Sequence, residues 1–115
     1  LQPDVSKLTN LIIPAGKSAS ITYTIKSPSY FVINRFCDRT YGMTVFYHSS
    51  FDESINTEEM IDWSPFFEYP GMPTVDRLRE RCLGPGTIRV QFHNEQAWIR
   101  SLEVYYRVVF EDEMG

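Results

Sequence analysis

Hydrophobic and polar residues alternate with a period of two along most of this chain, a pattern that predicts β-strands. In residues 20–26, Ile21 and Tyr23 face one side of a strand, while Thr22 and Thr24 face the other. The same alternation, or an uninterrupted apolar run, predicts five further strands at 8–14, 30–37, 42–48, 87–93 and 101–110. The second of these runs is rich in β-branched and aromatic residues, so we expect it to be covered on both faces for part of its length.

Short clusters of proline and glycine separate the predicted strands. Proline fixes φ and glycine tolerates positive φ, which suits both residues to turns. The clusters are PAGK at 14–17, SPS at 27–29, YPGMP at 69–73 and LGPG at 83–86. Strands that recur about every 8–12 residues are typical of an antiparallel sandwich. A chain of 115 residues is also the size of one domain, so residues 1–115 are predicted to form a single β-sandwich.

Residues 49–82 show no sustained hydrophobic period and are interpreted as a divergent, insertion-like segment. Within it, residues 52–63 are compatible with either a helical turn or a long loop. The alternation in residues 75–82 favours a strand, although Thr74 is also suited to cap a short helix there.

Charge and motifs exclude several classes of function. The net charge of −4 disfavours nucleic-acid binding, because such proteins neutralise phosphates with an excess of basic residues. No nucleophile elbow, phosphate-binding loop or dinucleotide fingerprint occurs. His48 and His93 are interpreted as strand-end or surface residues, and the clusters of acidic residues as solvated. We therefore expect no catalytic site, no metal site and no cofactor.

The two cysteines lack the spacing of a zinc site. Cys37 and Cys82 stand 45 positions apart, with no second cysteine or histidine close to either. Two cysteines are also few for a small secreted domain that depends on disulfides. Free and mostly buried thiols are therefore expected, with a disulfide as the alternative.

Three arginines form a candidate contact for lipid head groups. If residues 75–82 are extended, Arg77, Arg79 and Arg81 lie on one face of the strand. Each cation near an anionic membrane contributes about 1 kcal/mol to binding. The alternative is a solvated strand in which these cations alternate with Asp76 and Glu80.

Aromatic residues in the stretch DWSPFFEYPG form a candidate contact for a protein partner. This stretch contains a proline and is predicted to be a loop. Its aromatic residues either plug an open end of the sandwich or form a recognition patch. The candidate partner contacts are Trp63, Phe66 and Phe67.

Residues 82–110, CLGPGTIRVQFHNEQAWIRSLEVYYRVVF, resemble the C-terminal signature of the GOLD (Golgi dynamics) domain. The form most similar is the C-terminal GOLD domain of CRAL-TRIO lipid-transfer proteins of the supernatant protein factor type. Residues 11–25 and 31–47 are similar to the earlier strands of that family, whereas 49–82 departs from its pattern. The structural signature residues are Pro85, Gly86, Phe92, Asn94 and Trp98.

The resemblance implies a jelly-roll-like antiparallel β-sandwich of about eight strands. It also implies a non-catalytic interaction module of a CRAL-TRIO-type lipid-binding or transfer protein acting at endomembranes. Its partners would be a protein, an anionic membrane surface, or both, and any lipid ligand would be held by a separate domain. The implied location is cytoplasmic, peripheral to the Golgi or other endomembranes.

The alternative is a luminal GOLD domain of an early-secretory-pathway cargo receptor. The resemblance to that type implies a disulfide between two strands, so the state of Cys37 and Cys82 discriminates between the two. A hydrolase or lectin-like sandwich is a third alternative, and no catalytic constellation supports it.

The stretch HNEQAW, residues 93–98, is interpreted as the corner of a hairpin first and as a contact surface second. Asn94 suits such a corner because asparagine tolerates the left-handed conformation and its side chain caps backbone groups. Trp98 is expected to cover the open end of the sandwich, with its indole N–H donating to a carbonyl.

Overall fold

The structure is a computed structural model and describes residues 3–112. Within this range the chain forms eight strands and one short 3-10 turn. The strands are β1 (Thr9–Ile13), β2 (Ser18–Ile25), β3 (Ser29–Phe36), β4 (Tyr41–His48), β5 (Ile61–Tyr69), β6 (Asp76–Arg81), β7 (Gly86–His93) and β8 (Leu102–Asp112), and the turn is Thr57–Glu59.

The strands form two antiparallel sheets that pack face to face. Sheet 1 has the order β1-β8-β3-β6, and sheet 2 has the order β2-β7-β4-β5. The chain crosses from one sheet to the other at every connection except that between β4 and β5, which pair as the one hairpin of the described range. The prediction of a jelly-roll-like β-sandwich is therefore confirmed.

The hydrophobic core lies between the sheets, because alternate residues of the central strands point inward. The inward sides of β4 and β7 are those that the alternation predicts. The largest fully buried apolar side chains are Phe31, Phe92, Ile13, Ile33, Met43, Ile88, Leu102, Val45, Val90 and Val104. Burying each such side chain contributes about 1.5–3 kcal/mol relative to leaving it exposed. In β3, the consecutive residues 31–33 are all buried, so this strand is covered on both faces as expected.

Residues 49–60 fold back over the outer face of sheet 2, where Arg89 holds them. The Arg89 guanidinium is buried and donates to the Thr22 hydroxyl (2.9 Å), the Thr57 hydroxyl (2.8 Å) and the Glu53 carbonyl (2.9 Å). Its charge is thus surrounded by three acceptors, one from β2 and two from the 49–60 segment. Of the residues for which a helical turn or a long loop was expected, 52–60 form a loop that contains a single 3-10 turn, whereas 61–63 already belong to β5.

The remainder of the 49–82 segment provides an edge strand to each sheet. The strand predicted over 75–82 is confirmed as β6, but the prediction of a loop around Trp63 and Tyr69 is wrong, because these residues lie in β5. Two register shifts in the pairing of β5 with β4 destroy its alternation. Each shift reverses the face to which the following side chains point, so the sequence lacks a period of two. The interpretation of 49–82 as an insertion stays a prediction.

Both cysteines are free thiols, as expected, and they lie at opposite ends of β3. Cys37 directly follows this strand, whereas the Cys82 N–H donates to the Ser29 carbonyl at its beginning (3.0 Å). Eight strand residues span about 26 Å, and a disulfide needs its Cα atoms within about 7 Å. This fold therefore does not allow an intrachain disulfide. Burial raises the pKa of both thiols.

Gly86 occupies a position that no other residue fits. Its φ is 150°, and a Cβ at this position would lie 2.2 Å from the His48 carbonyl oxygen. We expect Gly86→Ala to destabilise the domain by about 3 kcal/mol or more, because left-handed strain is combined with a backbone clash. Gly16→Ala is the control: φ there is 79°, but no atom lies within 4 Å of the added Cβ. Its expected cost is about 1 kcal/mol. Urea unfolding measures both, and equal costs would contradict this account.

Candidate functional site

Four connections meet at one end of the sandwich, which we call the loop end. They are the β1–β2 turn, the β3–β4 turn, the β5–β6 loop and the β7–β8 loop, residues 14–17, 37–40, 70–75 and 94–101. Backbone hydrogen bonds join them in pairs: Gly16 N–H donates to the Asn94 carbonyl (3.0 Å), and Met72 N–H donates to the Cys37 carbonyl (3.1 Å). The Arg39 guanidinium also donates to the Ser101 carbonyl.

Asn94 is the centre of this end. Its side-chain amide nitrogen lies 3.0 Å from the Ile13 carbonyl, 3.2 Å from the Pro14 carbonyl and 3.0 Å from the Arg100 carbonyl. Its backbone N–H donates to the Lys17 carbonyl (2.9 Å). An amide has two N–H groups, so three acceptors share them. Asn94 therefore joins the β1–β2 turn to both ends of the β7–β8 loop.

The capping role expected of Asn94 is confirmed, but two details of its setting differ from expectation. The loop is not a hairpin corner, because β7 belongs to sheet 2 and β8 to sheet 1. The loop instead carries the chain across one end of the sandwich. The left-handed conformation is not used either, since every described residue with positive φ is a glycine. The carbonyls that Asn94 meets come from neighbouring segments, which the local sequence does not reveal.

The expectation that Trp98 covers the open end of the sandwich is wrong. The side chain is 95% exposed, and the next residue, Ile99, is 90% exposed. The core residues at this end, Ile13, Phe92 and Leu102, are buried without any contribution from the indole. We call the pair Trp98 and Ile99 the Trp98 tip.

The Trp98 tip projects from a braced loop rather than a loose one. The Ala97 N–H donates to the Asn94 carbonyl (3.2 Å) just before the tip, and the Arg100 carbonyl accepts from the Asn94 side chain just after it. Both ends of the tip are thus held by one residue. Large apolar side chains exposed side by side usually mark a contact surface.

Charges of both signs lie near the tip. The cations are Arg100, which directly follows it, Lys17, whose carbonyl accepts from the Asn94 N–H, and Arg39, which contacts the end of the loop. The carboxylates at the same end include Glu68 and Glu95, which line a cavity beside the loop, and Asp38 and Glu103, which line another. The tip is therefore set among mixed charges.

The His93 imidazole contacts the carboxylate of Glu95. The His93 Nδ1 lies 2.6 Å from the Glu95 Oε1, and its Nε2 lies 2.9 Å from the Thr44 hydroxyl. A neutral imidazole with its proton on Nδ1 satisfies both contacts. His48 lies at the far end of the same sheet, since it pairs with Thr87 in β7. The two histidines are thus separated by most of a strand length.

The three candidate lipid-contact arginines do share one face of β6, as predicted, but a carboxylate partly neutralises them. The Arg79 Nε lies 3.0 Å from a Glu111 carboxylate oxygen, and an Arg77 nitrogen lies 3.8 Å from the other oxygen. Arg79 also stacks on the ring of Tyr30, with its Cζ 3.8 Å from the ring centroid. Arg81 is exposed on the same face and has an interaction of its own.

The three candidate partner contacts do not form one continuous patch. Trp63 is half-buried and packs edge-on against Phe31, at a centroid distance of 5.8 Å. Phe66 packs edge-on against His93 (5.1 Å) on the outer face of sheet 2. Phe67 packs edge-on against Tyr69 (4.8 Å). The shifts in β5 separate these aromatic rings, so they do not present a single surface.

Among the residues that the structure describes, no group of three or more histidine, cysteine, aspartate or glutamate side chains has the arrangement of a metal site. No helix in that range is long and apolar enough to cross a membrane.

Comparison with known proteins gives one match that covers the chain. Residues 1–115 match the family model described as "F28H7_8_C:-like, C-terminal domain", which is CRAL-TRIO-related. A comparison with curated proteins gives no match.

Sequence reasoning overlooked Ile99 and gave Trp98 the wrong role. One signal was present: two large apolar residues stand next to each other in a short polar connection, immediately before Arg100. A connection between strands has no fixed alternation of faces, so this signal marks the pair as unusual without showing whether it is buried.

We expect Asn94→Ala to destabilise the domain by about 1–3 kcal/mol, because three carbonyls lose a shared donor and the contact with the Ile13 carbonyl is partly buried. Asn94→Asp should cost more, because a carboxylate oxygen would then face those carbonyls. Gln96→Ala, an exposed residue of the same loop, is the control and should cost less than about 0.5 kcal/mol. Urea unfolding gives the stabilities, and hydrogen exchange of residues 94–101 reports the loosening. We call the set of hydrogen bonds made by Asn94 the Asn94 clamp. An Asn94→Asp variant as stable as the original would contradict its role in holding the loop end together.

Proposed function

This chain belongs to the F28H7_8_C:-like family of CRAL-TRIO-related C-terminal domains, and on that premise we propose that it is a non-catalytic module that docks a lipid-binding or lipid-transfer protein on membranes. The observation that carries the proposal is the Trp98 tip, an exposed aromatic and aliphatic pair held on a braced loop.

The chemistry of the tip suits the interface of a bilayer. Tryptophan is enriched at the head-group level of membranes, because its ring is amphipathic. Moving the two apolar side chains out of water contributes about 1.5–3 kcal/mol each. Each of the cations Lys17, Arg39 and Arg100 adds about 1 kcal/mol at an anionic surface. The Asn94 clamp reduces the cost of ordering the loop on contact.

The finer points of the proposal rest on the resemblance to GOLD domains of CRAL-TRIO lipid-transfer proteins. In this proposal the chain is a GOLD domain and acts on the cytoplasmic side of the Golgi or other endomembranes. A separate domain of the full protein holds the lipid. The jelly-roll-like architecture and the capping role of Asn94 support this assignment.

The arginine face of β6 is the second candidate for lipid contact. Arg77, Arg79 and Arg81 lie on an edge strand, and Glu111 offsets part of their charge. We therefore place the first contact at the Trp98 tip, with the arginines adding long-range attraction. Phe66 and Phe67, both exposed by more than half, remain candidates for contact with a protein partner.

The luminal alternative receives no support from the cysteines. It implied a disulfide between Cys37 and Cys82, and β3 separates these two residues by its full length. We therefore retain the membrane-docking module as the proposed function, with the cytoplasmic location as part of that proposal.

The proposal predicts that the 115-residue chain co-sediments with vesicles that contain phosphatidylserine or a phosphoinositide. Binding should weaken between low salt and about 0.15 M salt, because the cations are exposed. The double variant Trp98→Ser, Ile99→Ser should reduce the binding constant by about tenfold or more, since it removes most of the contribution that apolar burial makes to the binding free energy. Replacing Arg77, Arg79 and Arg81 by alanine should reduce it less.

Ile61→Ser is the matched control for this experiment. Ile61 is exposed at the start of β5, at the end of the sandwich opposite the loop end, so its replacement should leave vesicle binding unchanged. Binding that the double variant leaves intact would contradict the role of the Trp98 tip. The absence of binding to any vesicle, at either salt concentration, would contradict the membrane-docking function itself.

A further inference from the structure

Each sheet of the sandwich has two edge strands, and three of these four edges carry features that discourage pairing with another chain. β1 has only five residues. β5 contains Pro65, which lacks an N–H, and two register shifts. β6 carries charged side chains at five of its six positions, in the sequence DRLRER. Short length, proline, bulges and charge are the usual means by which natural proteins protect sheet edges.

β2 has none of these features. It is eight residues long, has the sequence SASITYTI and carries no charge and no proline. Its pairing with β7 is regular over all eight residues, from Ser18 opposite His93 to Ile25 opposite Gly86. Within residues 3–112, no other strand pairs with it and no further backbone hydrogen bond reaches it. One row of its backbone N–H and C=O groups therefore faces solvent.

The outer face of β2 is already ordered by its neighbours. The Thr22 hydroxyl accepts from Arg89 (2.9 Å), the Ser18 hydroxyl accepts from Gln91 (2.9 Å), and the Thr24 hydroxyl donates to Glu53 (2.6 Å). These contacts fix three of the four serine and threonine side chains of the strand. Because β2 is already ordered, it would lose little further conformational entropy when a partner strand binds.

The inner face of β2 is incompletely covered. Ala19, Ile21 and Tyr23 point toward the core but are only half-buried, and so are Val108 and Phe110 on the facing part of sheet 1. The short β1 leaves this side of the sandwich open, because β1 ends its pairing with β8 at Tyr106. A strand added beside β2 would cover these apolar side chains.

We propose that β2 is an assembly edge, and that its occupant is the β2 strand of a second copy of this chain, paired antiparallel across a twofold axis. The pairing would join the two copies of sheet 2 into one continuous sheet of eight strands. This inference does not depend on the membrane-docking function.

The sequence of β2 is complementary to itself, which favours a second copy over an unrelated strand. In any register that a twofold axis allows, residues that face the same side of the sheet lie opposite each other. Serine and threonine then meet serine and threonine, while alanine, isoleucine and tyrosine meet one another. Pairs of β-branched and aromatic residues across strands are stabilising, and no like charges are opposed within β2.

The symmetry also determines how the two loop ends lie. The axis stands normal to the continuous sheet, because the paired strands run in opposite directions. The Trp98 tips of the two copies would therefore point away from each other, and one flat membrane would contact only one of them.

Sedimentation equilibrium of the 115-residue chain tests the proposal. We expect the mean mass to rise with concentration from 13.4 kDa toward twice that value. Ser20→Lys should raise the dimer dissociation constant by about tenfold or more, because it places like charges next to each other near the middle of the joined strands. Ser20 is exposed, so the variant should fold normally, as circular dichroism will verify.

Thr9→Lys is the matched control, since it places the same charge on the exposed edge strand β1 of the other sheet. It should leave the dissociation constant unchanged within about twofold. Hydrogen exchange should show that amides of β2 become protected as the concentration rises, while those of β1 do not.

Two results would overturn the proposal. The first is a mass of one chain at every concentration up to about 1 mM, because a weaker association would have little biological meaning. The second is a dimer that Ser20→Lys leaves intact, which would place the interface elsewhere. Neither result bears on whether the Trp98 tip binds vesicles, which the single chain performs alone.

Discussion

The arrangement of the loop end depends on the side-chain amide of Asn94. It donates to carbonyls at the end of β1, in the β1–β2 turn and at the start of the approach to β8, while its backbone bonds to the turn before β2. Asn94 itself directly follows β7. One residue therefore joins the ends of four strands, two from each sheet, at the place where the chain crosses between them. The exposure of Trp98 follows from this clamp, because it holds the loop on both sides of the tip.

The two candidate surfaces result from two different constraints on the sandwich. At the loop end, the braced β7–β8 loop holds Trp98 and Ile99 in solvent, above the buried residues Ile13, Phe92 and Leu102. At the sides, the open edges of both sheets leave backbone groups unpaired, and the chain protects β5 and β6 more strongly than β2. The end thus offers side chains to a membrane, whereas the β2 edge offers backbone to another strand.

Much of the fold follows from the sequence, because strands with one covered face alternate in polarity and the turns contain proline and glycine. β5 was missed because two register shifts and Pro65 remove that alternation. The candidate site was predicted less well, because the direction in which a side chain points depends on contacts with residues that are distant in the sequence. Trp98 points into solvent because Asn94 holds the loop on both sides of it, and Arg79 pairs with Glu111 of another strand; neither contact is visible in the local sequence. The capping role of Asn94 was predictable from its chemistry, but its acceptors were not.

The environment of Trp98 during vesicle binding is the most direct test of the account. In a Trp63→Phe variant, Trp98 is the one remaining tryptophan, and its fluorescence reports its surroundings alone. On addition of anionic vesicles, the account predicts a shift of the emission to shorter wavelength and quenching by lipids brominated near the head group. An emission that stays at the wavelength of a water-exposed indole, while the protein is bound to the vesicles, would contradict it.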